Sequence, residues 1–346
     1  MKGFLCFIIV LSVGLTSCNK NNEMNDDRNA IVIIMQQCRE VGLELGSTET
    51  ITIDWGYGTV IETYTPQFPS YFNHSYDGTF TRTITITGVN ITYFGCFSDF
   101  YSLTTLDVSR MPTLEYLNCN DMQLSYLDVS KNTKLTFLYC WGNRLSKLDV
   151  SNNIALVALV CSENSLTTLD VSRNIALTRL NCSINQLTVL DLSKNIALWA
   201  LSCSMNQLTT LDVSNNTKLI DLDCYNNRIS NLDLNKNTRL MKLICPNNQL
   251  ATLDVSNNIN LKHLNCHTNR ISKLDVSHNI ELTFMDCSIN AFSGDGLNAL
   301  FRNLHSNTSN AVTEDDYYIR INHNPGSDAC DTSIAKEKGW RVENYY

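Results

Sequence analysis

Nine cysteines, Cys119, Cys140, Cys161, Cys182, Cys203, Cys224, Cys245, Cys266 and Cys287, recur every 21 residues without a slip. A chain written at so short a fixed period can bury the apolar side of each unit only against the next, so its coils must stack as a solenoid. The unit from Leu166 to Gln186, LTTLDVSRNIALTRLNCSINQ, is typical. It holds two half-units of the form L-x-x-L-x-(small apolar)-x-x-N: Leu166, Leu169, Val171 and Asn174, then Leu177, Leu180, Cys182 and Asn185. Leu-x-Val and Leu-x-Cys alternate with period two, which predicts that each half-unit runs as a short strand with these side chains inward. A 21-residue coil has no room for a full helix on its return side, so an extended or single-turn return is expected. Nine coils at ~4.8 Å per rung span roughly 43 Å.

The repeated thiols occupy the slot in which the sister half-unit places Val or Leu. Neighbouring thiols of an in-register stack lie ~4.8 Å apart, wider than the ~3.8 Å Cβ separation of a disulfide. There is no C-x-x-C, and no His stands at ligand spacing from these cysteines. A buried column of free thiols packing as small hydrophobes is expected, with no metal and no cofactor. Two further columns are asparagine, one running from Asn143 to Asn290 and the other from Asn132 to Asn279. Buried coil corners leave backbone groups without strand partners, and an Asn amide, being donor and acceptor at once, can satisfy them across adjacent coils.

The pattern L-x-x-L-x-C-x-x-N-x-L-x-x-L-D-V-S-x-N resembles the cysteine-ladder branch of the internalin-like leucine-rich repeats of bacteria. The resemblance implies a mainly β, curved, right-handed solenoid that binds a partner on its concave sheet. It covers the repeats, taken as residues 101–291, between a β-sandwich-like cap at 31–100 and a small α/β cap at 292–346. Open solenoid ends would expose apolar side chains and strand edges, so both caps are physically required. In the first cap, Ile53-Asp54-Trp55-Gly56-Tyr57-Gly58, His74-Ser75-Tyr76 and Thr83 to Gly88 resemble a PKD-like signature, with Tyr57 where that signature has Asp. Phe94-x-Cys96 fits the Leu-x-Cys slot, reading as an irregular tenth coil 23 residues before Cys119. At the far end, Gly294 to Leu304 is predicted as a helix with Leu297, Leu300, Phe301 and Leu304 on one face. A strand over Tyr317 to Ile321 and a short helix from Ser333 follow.

Residues 1–17 have the Lys2, the short apolar run from Phe4 to Val13 and the small residues of a signal peptide. Leu15-Thr16-Ser17-Cys18 resembles a lipobox, which implies lipidation of Cys18 and a polar tether over 18–30. An outer-membrane lipoprotein exposed at the cell surface is expected. A formal charge of −8 argues against nucleic acid as a partner.

The two half-units differ in their outward positions. Around LDVS these are monotonous: Asp107, Asp128, Asp149, Asp170, Asp191, Asp212, Asp233, Asp254 and Asp275. Stacked carboxylates repel unless turn amides cap them or a cation such as calcium meets them, and local capping is the expected arrangement. Around Leu-x-Cys they vary: Tyr116, then Phe137, Tyr139 and Trp141 in one coil, then Arg179, Asp221, Asp223, Tyr225, Lys242, His263 and Phe284 among others. A regular scaffold with one varied, aromatic-bearing face suits recognition, so Tyr116, Phe137, Tyr139, Trp141, Arg179 and Tyr225 are the candidate ligand-binding residues. The function expected is non-enzymatic recognition of a protein or glycan by a monomer. The alternatives are a parallel β-helix acting on polysaccharide, and a passive spacer.

Overall fold

The structure is a computed structural model, described for residues 30–35, 39–56, 61–65, 69–78, 80–98, 103–306 and 317–344. Cys18, the signal segment, Cys38 and Tyr57-Gly58 lie outside the described residues.

Eight strands come first: β1 (Ala30–Met35), β2 (Glu40–Ser47), β3 (Ile51–Asp54), β4 (Ile61–Tyr64), β5 (Ser70–Ser75), β6 (Arg82–Gly88), β7 (Ile91–Ser98) and β8 (Leu103–Asp107). One sheet has the order β4-β3-β6-β1-β8, and β5-β2-β7 forms a second. Period-two alternation turns Ile31, Ile33, Ile51, Ile53, Ile84 and Ile86 of the first sheet inward, all fully buried.

The second sheet does not stop at the cap. One three-residue strand per coil extends it: β9 (Tyr116–Asn118), β10 (Phe137–Tyr139), β11 (Ala158–Val160), β12 (Arg179–Asn181), β13 (Ala200–Ser202), β14 (Asp221–Asp223), β15 (Lys242–Ile244), β16 (His263–Asn265) and β17 (Phe284–Asp286). All pair in parallel with a 21-residue register, as in Leu180 beside Leu201 beside Leu222. The hinge between cap and solenoid is β7, antiparallel to β2 on one edge and parallel to β9 on the other, with Phe94 opposite Leu117. Cys96 therefore sits in register with Cys119, the irregular tenth rung, and all ten thiols from Cys96 to Cys287 are free and buried.

The expectation that both half-units form strands holds for only one of them. Apart from β8, the LDVS segments are extended but form no strand ladder. Their carbonyls are used otherwise: Val129 accepts from Asn132 of its own turn and from the Asn153 amide of the next coil. Two such turns per coil make the return side, and no helix appears there.

Beyond Cys287 the chain inserts helix α1 (Gly294–Asn303), burying Leu297, Leu300 and Phe301, and then rejoins the sheet. β18 (Tyr318–Arg320) adds to β17; then comes helix α2 (Ser333–Lys336), and β19 (Arg341–Glu343) adds to β18. Ile319-x-Ile321-x-x-Asn324 repeats the spacing of Leu-x-Cys-x-x-Asn, and Asn324 donates to Cys287 O and Ile321 O as a ladder Asn would. The solenoid thus has about eleven rungs, and its 14-stranded sheet runs from one cap to the other.

Candidate recognition surface

Each coil is held by its two asparagines. Asn206 Nδ2 donates to Cys182 O, Cys203 O and Ser204 O, and its Oδ1 accepts from Leu187 N–H at 2.9 Å. Asn195, in the other column, donates to Val171 O and Asn174 O at 3.0 Å, while its buried Oδ1 has no partner in the structure. Between them the turn after each strand needs one left-handed residue, which is Gly142 in one coil but Glu163, Ile184, Met205, Asn226, Asn247, Thr268 and Ile289 in the next seven.

The Asp stripe is capped locally. Asp191 Oδ1 accepts from Ser193 N–H at 2.8 Å, and its eight sister aspartates do the same with the residue two later. These amides hold the carboxyls of Asp128, Asp149, Asp170, Asp191, Asp212, Asp254 and Asp275 below the usual carboxylate range. No group of three or more candidate metal ligands exists among the described residues.

On the sheet, three of the sequence-selected residues meet. Tyr116 is tilted against Phe137 and Tyr139, with ring centroids 6.1 and 5.4 Å apart. Sequence reasoning missed the ring that continues this run into the cap: Tyr93 stacks flat on Tyr116 at 3.9 Å. It was readable, because Tyr93 precedes Phe94 as Tyr116 precedes Leu117. Tyr93 O–H donates to Glu44 Oε2 at 3.0 Å, and burial helps push the tyrosine pKa far up. Exposed Tyr71 and Phe97, tilted together 6.5 Å apart, extend the aromatic surface over the cap.

The other candidates stand apart. Strand β10 ends at Tyr139, so Trp141 lies beyond it, its N–H bound to Asn120 Oδ1. Tyr225 occupies the same position four coils further on, its N–H bound to Asp223 Oδ1. Arg179 leans toward Trp199, 5.8 Å from the ring. At the far end His263 stacks on Phe284 at 4.1 Å, and Arg320 joins Glu343 at 2.8 Å and Asp286 at 3.9 Å. The sheet is therefore aromatic near the first cap, open in the middle and charge-paired near the second.

A coil of one short strand with an asparagine corner defines a leucine-rich repeat, and comparison with solved structures agrees. No family model and no curated protein matches the chain. The functional domain of InlJ from Listeria monocytogenes, which includes a cysteine ladder, is 32% identical over 64% of this chain, with a TM-score of 0.42. The chain spans 57% of that structure's length. The internalin InlF of the same organism is 20% identical over 70% of this chain and 79% of its own, with a TM-score of 0.53. The ectodomain of the Arabidopsis thaliana receptor kinase GASSHO1/SCHENGEN3, solved in complex with Casparian strip integrity factor 2, is 19% identical over 63% of this chain and 28% of its own, at a TM-score of 0.52. The chain is a leucine-rich-repeat solenoid whose structural neighbours are internalin-like.

Proposed function

We propose that the chain is a non-enzymatic recognition module, held to the outer membrane by lipid on Cys18 and displayed at the cell surface, that binds a protein partner on its concave sheet. The supporting observation is the ring run Tyr93, Tyr116, Phe137 and Tyr139, borne on strands locked in register and so losing little freedom on binding. A protein is favoured over a glycan because Tyr93 and Tyr116 spend their ring faces on each other at 3.9 Å, leaving edges and hydroxyls rather than open platforms for a sugar. One strand per coil is the architecture of a leucine-rich repeat rather than of a parallel β-helix.

The test is surface-protein capture followed by affinity measurement. Tyr116→Ala and Phe137→Ala should each weaken the captured partner roughly thirtyfold, about 2 kcal/mol, with the melting temperature held. Asp191→Ala, on the return side, should leave affinity unchanged. Affinity that survives both ring truncations, yet falls with Asp191→Ala or a chelator, would transfer the site to the Asp stripe. The anchor is tested separately: Cys18→Ala should move the protein from the detergent phase to the aqueous phase, and wild type already in the aqueous phase refutes lipidation.

A further inference from the structure

We infer that the middle of the concave sheet is a seat for an extended segment of the protein partner, and that a basic side chain of that segment is received by Asp221 and Asp223. This rests on the reading of the sheet as a recognition face and names the chemistry of what it takes. The outward positions shrink between Tyr139 and β14: Ala158 and Val160, then Ala200 and Ser202, stand where neighbouring coils carry aromatic or charged side chains. Their smallness leaves an open trough of about 260 Å³ that reaches down to Leu180 and Leu201. The one long side chain of this stretch, Arg179, leans toward Trp199.

Length and charge select the occupant. From Tyr139 to Asp223 is four rungs, roughly 19 Å, which an extended peptide at ~3.3 Å per residue covers with about six residues. At the far end two carboxylates project from one face of β14. Asp221 meets Lys242 at 3.8 Å, both side chains being over 40% exposed, so this pair is weak and easily exchanged. Asp223 is more sheltered, and among the described residues it has no cation within ion-pair distance. Its Oδ1 accepts from Tyr225 N–H at 3.1 Å and its Oδ2 from the Ser202 hydroxyl at 3.4 Å.

Behind Ser202 stands a file of hydroxyls, with Ser183 Oγ 2.7 Å from Ser202 Oγ and Ser204 Oγ donating to Ser183 Oγ at 2.9 Å. The file turns its donors toward the carboxylate and orients it. Burial raises the pKa of Asp223, with the neighbouring Asp221 adding to the rise and the Tyr225 amide and Lys242 offsetting part of it. Arg179 leans on Trp199 and Lys242 pairs with Asp221, so Asp223 is the carboxylate of the trough left without an ion-pair partner of its own. A lysine or arginine entering the trough supplies the missing partner where water is partly excluded and the pair is strongest.

The experiment pans a random heptapeptide library on the full chain and measures selected peptides by fluorescence anisotropy. Selected peptides should share a Lys or Arg, and Asp223→Asn should weaken them at least about tenfold. Ala200→Arg, which fills the trough, should do the same with an unchanged melting temperature. Replacing the peptide's basic residue by Ala should cost as much against wild type and almost nothing further against Asp223→Asn. That arm alters only the peptide and does not depend on how a variant folds. Peptides lacking a basic residue, or binding that survives Asp223→Asn, overturn the assignment. No selection at all also overturns it, while ring-dependent binding of a captured partner would leave the recognition reading standing.

Discussion

The two halves of each coil are written in nearly the same letters and behave differently. Leu177-x-x-Leu180-x-Cys182-x-x-Asn185 becomes a rung of a parallel sheet, whereas Leu166-x-x-Leu169-x-Val171-x-x-Asn174 becomes an extended return with no ladder. On the sheet side, main-chain groups bond coil to coil, as Cys203 N–H does to Asp223 O, so outward side chains are free to differ. On the return side the side chains take over: Asp caps the turn, and the Asn amide bridges to the coil before. Variety is available only where the backbone carries the fold. That is why one face varies along the chain and the other stays nearly uniform.

The largest expected effect that separates the halves is alkaline. Burial raises every repeated thiol on the sheet side, to about 12 at Cys182 and Cys224. In the unfolded chain a thiol ionises near pH 8.5, so the folded form keeps protons that the unfolded form loses. Stability is then full below about pH 8.5 and falls as pH rises, by roughly 1.4 kcal/mol per unit for each thiol and on the order of 10 kcal/mol per unit for the column. The return-side carboxyls have the opposite sign: their folded pKa values lie below the unfolded ones, so their contribution is lost as pH falls below about 4. Being exposed, they give only a shallow acid limb. Urea unfolding followed by circular dichroism across pH should show a steep alkaline limb and a gentle acid one. Equal limbs would break the comparison.

Next in size are the two amide columns. Asn206→Leu leaves the Leu187 N–H without its acceptor and takes one of two donors from each of Cys182 O, Cys203 O and Ser204 O, and should cost about 2–3 kcal/mol. Asn195→Leu takes one of two donors from Val171 O and Asn174 O, each of which keeps a backbone N–H, and also removes an acceptor that had no partner, so about 1 kcal/mol is expected. Urea midpoints should keep that order, and a reversal would show that the return side, not the sheet corner, holds the coils. The smallest effect lies at the turn linking the halves. Ile184, 40% exposed at φ 53°, holds a conformation that β-branched residues resist, so Ile184→Asn should raise stability by up to about 1 kcal/mol. Gly142→Ile should do the reverse, since its Cβ would run into the Asp121 carboxylate.

Much of this was legible in the residues. The exact spacing of Cys119 to Cys287 determined the solenoid, the buried free thiols and the amide columns, because a period admits one stacking and its inward slots follow from alternation. The capped Asp stripe was equally plain, since an Asp two residues before a Ser beside a turn bonds locally whatever surrounds it. Other features were hidden by local irregularity. The helix inserted after Asn290 broke the period and concealed the rungs at Ile319 and Val342, and only Gly142 marks a left-handed position that eight non-glycine residues of the cysteine coils, from Asp121 to Ile289, also occupy.

Tertiary structure alone decided the rest. Which half-unit forms the ladder depends on where each carbonyl finds its donor, a question two near-identical motifs cannot answer from their letters. Whether Tyr93 joins the rings of the repeats depends on β7 belonging to two sheets at once. The trough beside Asp223 exists because small residues from separate coils fall side by side, an adjacency made by stacking and written in no single stretch of the chain.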